Sequence, residues 1–404
     1  MGRQMRVGRL RPRWILALAG LAAATMTVAA CGGSAVRGGG GGGGDQETVK
    51  LGVLLPLSGV YAPLGEDMQQ GLRLYIDEHG GKLGGRRVEL VTADEGEGPQ
   101  TAVPAAKKLI QQDRVVAVTG VVSSAVALGV RDLFTESKIP LVISNAGADE
   151  ITGEASSDYL WRTSFANTEP NAAFGPYVAD QVKGGGVYVI AADYAAGKEA
   201  MGGFKETFEA AGGKVADERY TPFGETQDFQ PYLNAIQRSG AEAVYCFYAG
   251  AEAVAFVKQY EEFGLADELP LYSAGFLTEG GALDAQGDAA LGIRTSLNYA
   301  PDLDNPANER FRAAYQNRFE EEPTTYAVAS YDAAAVLDQA LTSIDGDVTG
   351  EQIAAALGEV GEVDSPRGTW RFSETHNPVQ KYYLREVRKQ GAGFTNATVR
   401  ELEG

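Results

Sequence analysis

Short apolar runs alternate with longer amphipathic stretches from Val49 onward. The runs are Val49–Pro56, Val88–Ala93, Val115–Gly120, Leu141–Asn145, Val187–Ala192, Ala243–Tyr248 and Leu271–Ala274. Each is rich in β-branched residues and bounded by Gly, Pro, Asp or Asn, as strands buried on both faces are. The stretches between them repeat at the helical period. Met68–Glu78 puts Leu72, Tyr75 and Ile76 on one face. Ala102–Gln112 groups Val103, Ala106, Leu109 and Ile110, and Val254–Phe263 groups Val254, Phe256, Val257 and Tyr260. Gly80-Gly81 stands where the first of these helices should stop. Such alternation predicts an α/β protein with parallel sheets and right-handed crossovers. Roughly ten strands are too many for one sheet at this length, so two Rossmann-like lobes are expected. The irregular stretches Thr163–Pro170, Leu297–Asn308 and Val363–His376 are the places for three crossings. Two consecutive domains satisfy the same pattern.

The first 48 residues break the alternation. Arg3, Arg6, Arg9, Arg11 and Arg13, with no acid among them, precede the apolar and small-residue stretch Trp14–Ala30. That order makes residues 1–30 a secretory signal. Val28-Ala29-Ala30-Cys31 resembles a bacterial lipobox, which implies that Cys31 is lipidated and that the protein is an extracytoplasmic, cell-membrane lipoprotein. An ordinary signal followed by a chance cysteine is the plainer alternative. Residues 31–48 read as a tether, with glycine at every position from Gly38 to Gly44. A Gly-rich coil of about 16 residues spans roughly 20–24 Å. A phosphate-binding loop is excluded, because no strand precedes these glycines and no Lys-Ser/Thr pair follows.

Charge and rare residues narrow the function. There are 35 basic and 54 acidic side chains, a net charge of −19. Removing residues 1–30 takes five arginines and no acid, leaving 30 against 54 and a net charge of −24. So acidic a body predicts no nucleic-acid partner. Two cysteines and two histidines exclude a disulfide scaffold and a Cys/His zinc site. No metal or cofactor is expected. With Cys31 as the anchor, Cys246 lies in the apolar run Ala243–Tyr248 and reads as a core thiol. His79 and His376 lack metal-ligand spacing. The acid clusters Asp94-Glu95 and Glu320-Glu321-Glu322 read as solvated faces.

Six phrases, in order, resemble the type I periplasmic solute-binding proteins of the leucine/isoleucine/valine-binding kind. They are Val49–Gly59, the helix end Gly80–Gly85 running into Arg86–Asp94, Val116–Ser124, Ile139–Gly147, Asp193–Gly197 and Ser330–Ala333. The resemblance implies two α/β lobes joined by three hinge crossings. Lobe 1 would take residues 49–165 plus 300–363, and lobe 2 residues 166–299 plus 364–404. A small-molecule ligand would bind between them, at the C-terminal ends of the strands, where loops and helix N-termini gather.

Site candidates follow from those ends. Ser123 and Ser124 sit between a strand and a helix, where serine caps and its hydroxyl can hold a carboxylate. The resemblance makes Ser124 the carboxylate-binding serine. Asn145-Ala146-Gly147 closes the next strand, and there the resemblance implies a main-chain N–H from Ala146. Ala148 replaces the family's threonine. Gly275 stands about where amino-acid binders of the family carry a glutamate for the ligand's ammonium. Glu279 could serve only with a different loop, so a standard α-amino acid is disfavoured over a carboxylate with an apolar or aromatic body. Tyr326 matches a pocket-lining aromatic position. Tyr61, Tyr194 and Tyr248 lie in neighbouring cleft loops and offer a ring face and a hydroxyl. Phe276 reads as packing.

The leading function is a lipid-anchored receptor for an ABC importer, not an enzyme. The chain contains no Gly-x-x-x-x-Gly-Lys-Ser/Thr and no transmembrane bundle, so ATPase and permease subunits would be encoded separately. A ligand sensor for a separate signalling partner, or a binder of amides or urea, fits the same clamp. A hydrolase would need an activated nucleophile, and no Gly-x-Ser-x-Gly elbow is present.

Overall fold

The computed structural model describes residues 48–403, apart from 154, 155 and 185. The signal, Cys31 and the glycine run lie outside the described residues. Fifteen strands are found among them. β1 (Thr48–Leu55), β2 (Lys82–Leu83), β3 (Arg86–Asp94), β4 (Ala117–Gly120), β5 (Leu141–Ile143) and β6 (Leu160–Arg162) form one sheet in the order β2-β3-β1-β4-β5-β6. All its pairs are parallel except β2–β3. β7 (Val187–Ala192), β8 (Val215–Thr221), β9 (Ala243–Phe247), β10 (Leu271–Ala274) and β11 (Arg294–Leu297) build a second parallel sheet. The short hairpin β12 (Arg371–Phe372) and β13 (Pro378–Val379) stands apart from it. β14 (Tyr382–Gln390) and β15 (Gly393–Leu402) extend the second sheet beyond β11 as antiparallel strands, giving β15-β14-β11-β10-β9-β7-β8. The parallel expectation therefore holds for the centre of each sheet, and antiparallel strands close an edge of each.

Strand parity sorts the cores. Along β1, Val49, Leu51, Val53 and Leu55 share one cluster, while Leu54 enters another on the opposite face. Gly52 lets β1 lie close to its neighbours, since a Cβ there would sit 2.8 Å from a Val118 methyl. The helices Ala62–Glu78 and Thr325–Thr342 pack as closely, and a Cβ on Gly71 would lie 2.0 Å from the Ala327 carbonyl. In the second sheet, Phe247 packs on one face and Tyr248 on the other, against Phe229 and Phe256.

The chain passes between the sheets at residues 163–167, 298–305 and 358–381. All three passages meet at the Ser164 carbonyl. It accepts from Asn298 Nδ2 at 3.3 Å, Arg367 Nη1 at 3.1 Å and Gln380 Nε2 at 2.7 Å. Arg367 also pairs with buried Asp332 at 3.0 Å and lies over the Trp370 ring. His376 stacks on Trp161 at 3.6 Å, and its carbonyl accepts from the Arg162 N–H at 3.1 Å, tying the hairpin to β6. Among the described residues, no helix is long and apolar enough to cross a membrane.

Candidate functional site

The C-terminal ends of the parallel strands converge on one cavity of about 360 Å³ of empty space, its open mouth included.

Its polar floor is the turn after β4. Gly120 and Val121 both have positive φ, and the Val121 N–H donates to the Leu54 carbonyl at 2.7 Å. A β-branched residue at φ 65° is strained, and the turn it forms carries Val122, Ser123 and Ser124 to the cavity. Ser123 precedes the helix Ser124–Ser137, whose first-turn N–H groups have no partner within the helix. The Ser123 hydroxyl is buried and finds no hydrogen-bond partner among the described residues. The Ser124 hydroxyl accepts from Asn167 Nδ2 at 3.1 Å, and Asn145 Nδ2 donates to the Val122 carbonyl at 3.2 Å.

Glu95 corrects the reading of Asp94-Glu95 as a solvated face. It is fully buried behind the serine turn. Oε2 accepts from the Val122 N–H and Oε1 from the Ser123 N–H, both at 2.9 Å. Burial pushes its carboxyl up to about 8, against the opposing effect of those two donors.

The walls are aromatic. Phe276 lies 4.7 Å from Phe165, 5.9 Å from Phe247 and 6.4 Å from Tyr326 between ring centroids. Tyr61, from the first lobe, hydrogen-bonds Tyr194, from the second, at 3.2 Å between hydroxyls. Tyr194 stacks on Phe223 at 4.2 Å. Burial raises the pKa of both phenols above the usual tyrosine range, so they stay neutral. No Asp or Glu is among the described residues that line the cavity.

Ser123, Ser124, Asn145, Gly147, Tyr61, Tyr194 and Tyr326 therefore come together. Three other candidates do not reach the wall. The Ala146 N–H is already given to the Val121 carbonyl at 2.9 Å, so it is no free donor. Tyr248 faces the outer helices, its hydroxyl 3.3 Å from Thr221 Oγ1, because adjacent strand residues point to opposite faces. Gly275 is covered by Arg385: its carbonyl accepts from Nη2 at 3.2 Å, and a Cβ there would lie 2.2 Å from that nitrogen. Arg385 Nη1 pairs with Glu279 at 2.9 Å, and Glu279 Oε1 accepts from the Thr325 N–H at 2.7 Å. Glu279 is thus committed elsewhere.

Sequence reasoning missed Val122, Phe165, Asn167, Ala196 and Phe247 as lining residues and took Phe276 for packing. Asn167 stands in the first crossing, where the only signal is its place just ahead of a helix start. It also donates to Glu199 at 2.7 Å, linking the crossing to the second lobe. Gly147 is needed beside it, since a Cβ there would meet Asn167 Oδ1 at 2.2 Å. Cys246 is buried, and burial raises its thiol.

This is the clamp of a type I periplasmic solute-binding protein: two α/β lobes, a cleft at the strand ends and three crossings. The chain belongs to the periplasmic binding protein family, whose profile matches residues 48–392, within its Leu/Ile/Val-binding-like branch. It is 31% identical over 367 residues to Leu/Ile/Val-binding protein homolog 6 of Brucella melitensis, covering 88% of this chain and 92% of the relative. Two solved ABC-transporter solute-binding proteins of R. palustris are similar in structure. One, in complex with benzoate, has a TM-score of 0.82 and 36% identity, covering 88% of this chain and 96% of its own. The other, in complex with 4-hydroxybenzoate, has a TM-score of 0.82 and 33% identity, covering 88% and 97%.

Proposed function

We propose that this protein captures a small aromatic carboxylate by closure of its lobes and delivers it to an ABC importer. The observation that carries the reading is a small cavity with aromatic walls, a serine floor and no acidic lining residue. A carboxylate over the floor would meet the unpartnered Ser123 hydroxyl, the Ser124 hydroxyl and the first-turn N–H groups. A planar ring would lie among Phe165, Phe247, Phe276 and Tyr326. An α-ammonium would be buried with no anionic partner on the wall, which costs several kcal/mol. The benzoate and 4-hydroxybenzoate complexes of relatives above 30% identity support the same class.

The jaws would be residues 49–165 plus 300–363 and residues 166–299 plus 364–404. The lipobox at Cys31 and the glycine tether support an extracytoplasmic lipoprotein hung from the cell membrane, with permease and ATPase supplied by separate chains. Calorimetry with benzoate, 4-hydroxybenzoate, leucine and urea tests the class. The aromatic acids should bind and raise the melting temperature by mass action, while leucine and urea should not. Tight leucine binding with no response to the acids would overturn the reading.

A further inference from the structure

The serine turn is backed by a buried carboxyl of the protein's own. Glu95 follows β3, and its two oxygens hold the N–H groups of Val122 and Ser123, both on the cavity wall. Among the described residues, Asp94 is the one charged group that acts on it appreciably. Asp94 is itself occupied by the N–H groups of Leu57 and Gly96 and by Ser58 Oγ. Glu97, further along the loop, accepts from the Val60 N–H at 3.3 Å. The loop 56–61, the turn 121–124 and the first turns of the helices Pro99–Lys108 and Ser124–Ser137 carry no charged side chain. Glu95 is thus a buried carboxyl with no cation on it among the described residues, held against the turn over which a ligand anion would sit.

Resting on the carboxylate reading above, we propose that Glu95 makes ligand capture proton-coupled: the ligand enters over the Ser123-Ser124 turn as an anion, and Glu95 behind the turn carries a proton in the loaded protein. The proton comes from solvent and forms an O–H bond on one Glu95 oxygen. Both oxygens keep acceptor capacity, so neither N–H of the turn is orphaned. Two carboxylates flanking one buried turn cannot both stay ionised without mutual repulsion in a poorly hydrated place. A carboxyl that burial holds up to about 8 sets the working range. Below that pH, Glu95 is already neutral and capture is indifferent to pH. Above it, capture must pull a proton from solution, and affinity falls by up to about tenfold per pH unit.

Titration calorimetry with benzoate, which stays an anion throughout, reads this directly. The runs use buffers of low and high ionisation enthalpy at about pH 6, 8 and 9.5. Proton uptake should climb from near zero toward one per ligand, with Kd weakening at the alkaline end. Glu95→Gln should bind with no uptake and a flat pH profile. If that variant fails to fold, the wild-type infrared difference spectrum on adding benzoate at about pH 9.5 should gain the carbonyl band of a protonated carboxyl. Benzoate binding with zero uptake to the alkaline limit, or uptake unchanged in Glu95→Gln, overturns the proposal while the carboxylate reading stands. Failure of every aromatic acid to bind at any pH sinks that reading, and this proposal with it.

Discussion

The first lobe brings Ser123, Ser124 and Asn145 to the cleft on a strained turn and a strand end, with Glu95 fixed behind them. The second lobe brings Tyr194, Ala196, Phe247 and Phe276, and its one hydroxyl is already bonded to Tyr61. One jaw supplies direction, because hydroxyl and N–H groups bind an anion in few orientations. The other supplies only area, which it shares with Tyr61, Phe165 and Tyr326 of the first lobe and which favours any flat apolar body. The proposed ligand class rests on having both, since a serine floor alone would serve many carboxylates and a ring wall many aromatics. The two surfaces also differ in support: the serine turn leans on backbone bonds and the Glu95 carboxyl, whereas the Phe276 wall leans on Arg385.

The largest effect should come from removing that support. Arg385 is fully buried and holds Glu279, the Gly275 carbonyl and the Tyr299 carbonyl. Arg385→Ala leaves a buried carboxylate unpaired and should cost about 3–5 kcal/mol of stability in urea unfolding. Adding Glu279→Gln should recover part of that loss, because the stranded charge is gone. No recovery would mean that the arginine acts by packing alone. Next comes a direct contest between the walls. Phe276→Ala should weaken benzoate by about 1.5–3 kcal/mol through lost ring contact. Ser124→Ala should weaken it by about 1–3 kcal/mol, the cost of an unmet charged hydrogen bond. Cyclohexanecarboxylate and benzyl alcohol separate the two. Ser124→Ala should lower affinity for the former and barely touch the latter, and equal losses on both ligands would erase the division of labour.

Much of this was legible along the chain. The apolar runs marked the central strands, and their ends marked the serine turn and the Asn145–Gly147 loop, because a parallel sheet sends its loops to one edge. Three things were not. The antiparallel strands β14 and β15 alternate with charged residues such as Arg385 and Glu386, and that pattern does not announce a sheet edge joined from far along the chain. Glu95 sits in the acidic stretch Asp94–Glu97, and only the fold of the turn after β4 shows that its carboxylate is consumed by two N–H groups. Gly275 reads in sequence as an empty place for a glutamate, yet the space is filled by an arginine more than a hundred residues later.

The smallest expected effect tests the parity argument that exchanged Tyr248 for its neighbour. Tyr248 is buried among Phe229 and Phe256, and its hydroxyl has one long partner, Thr221. Tyr248→Phe removes that hydrogen bond and leaves Thr221 able to turn elsewhere, so the stability loss should be about 0.5–1.5 kcal/mol. Benzoate affinity should not move, since the side chain lies on the far face of the sheet. Phe247→Leu, one residue earlier, keeps an apolar side chain of comparable bulk and should leave stability nearly as it was while weakening aromatic acids more than cyclohexanecarboxylate. A reversed result, with Tyr248→Phe altering affinity and Phe247→Leu silent, would mean that β9 presents the opposite face to the cleft, and the aromatic wall would have to be redrawn from that strand outward.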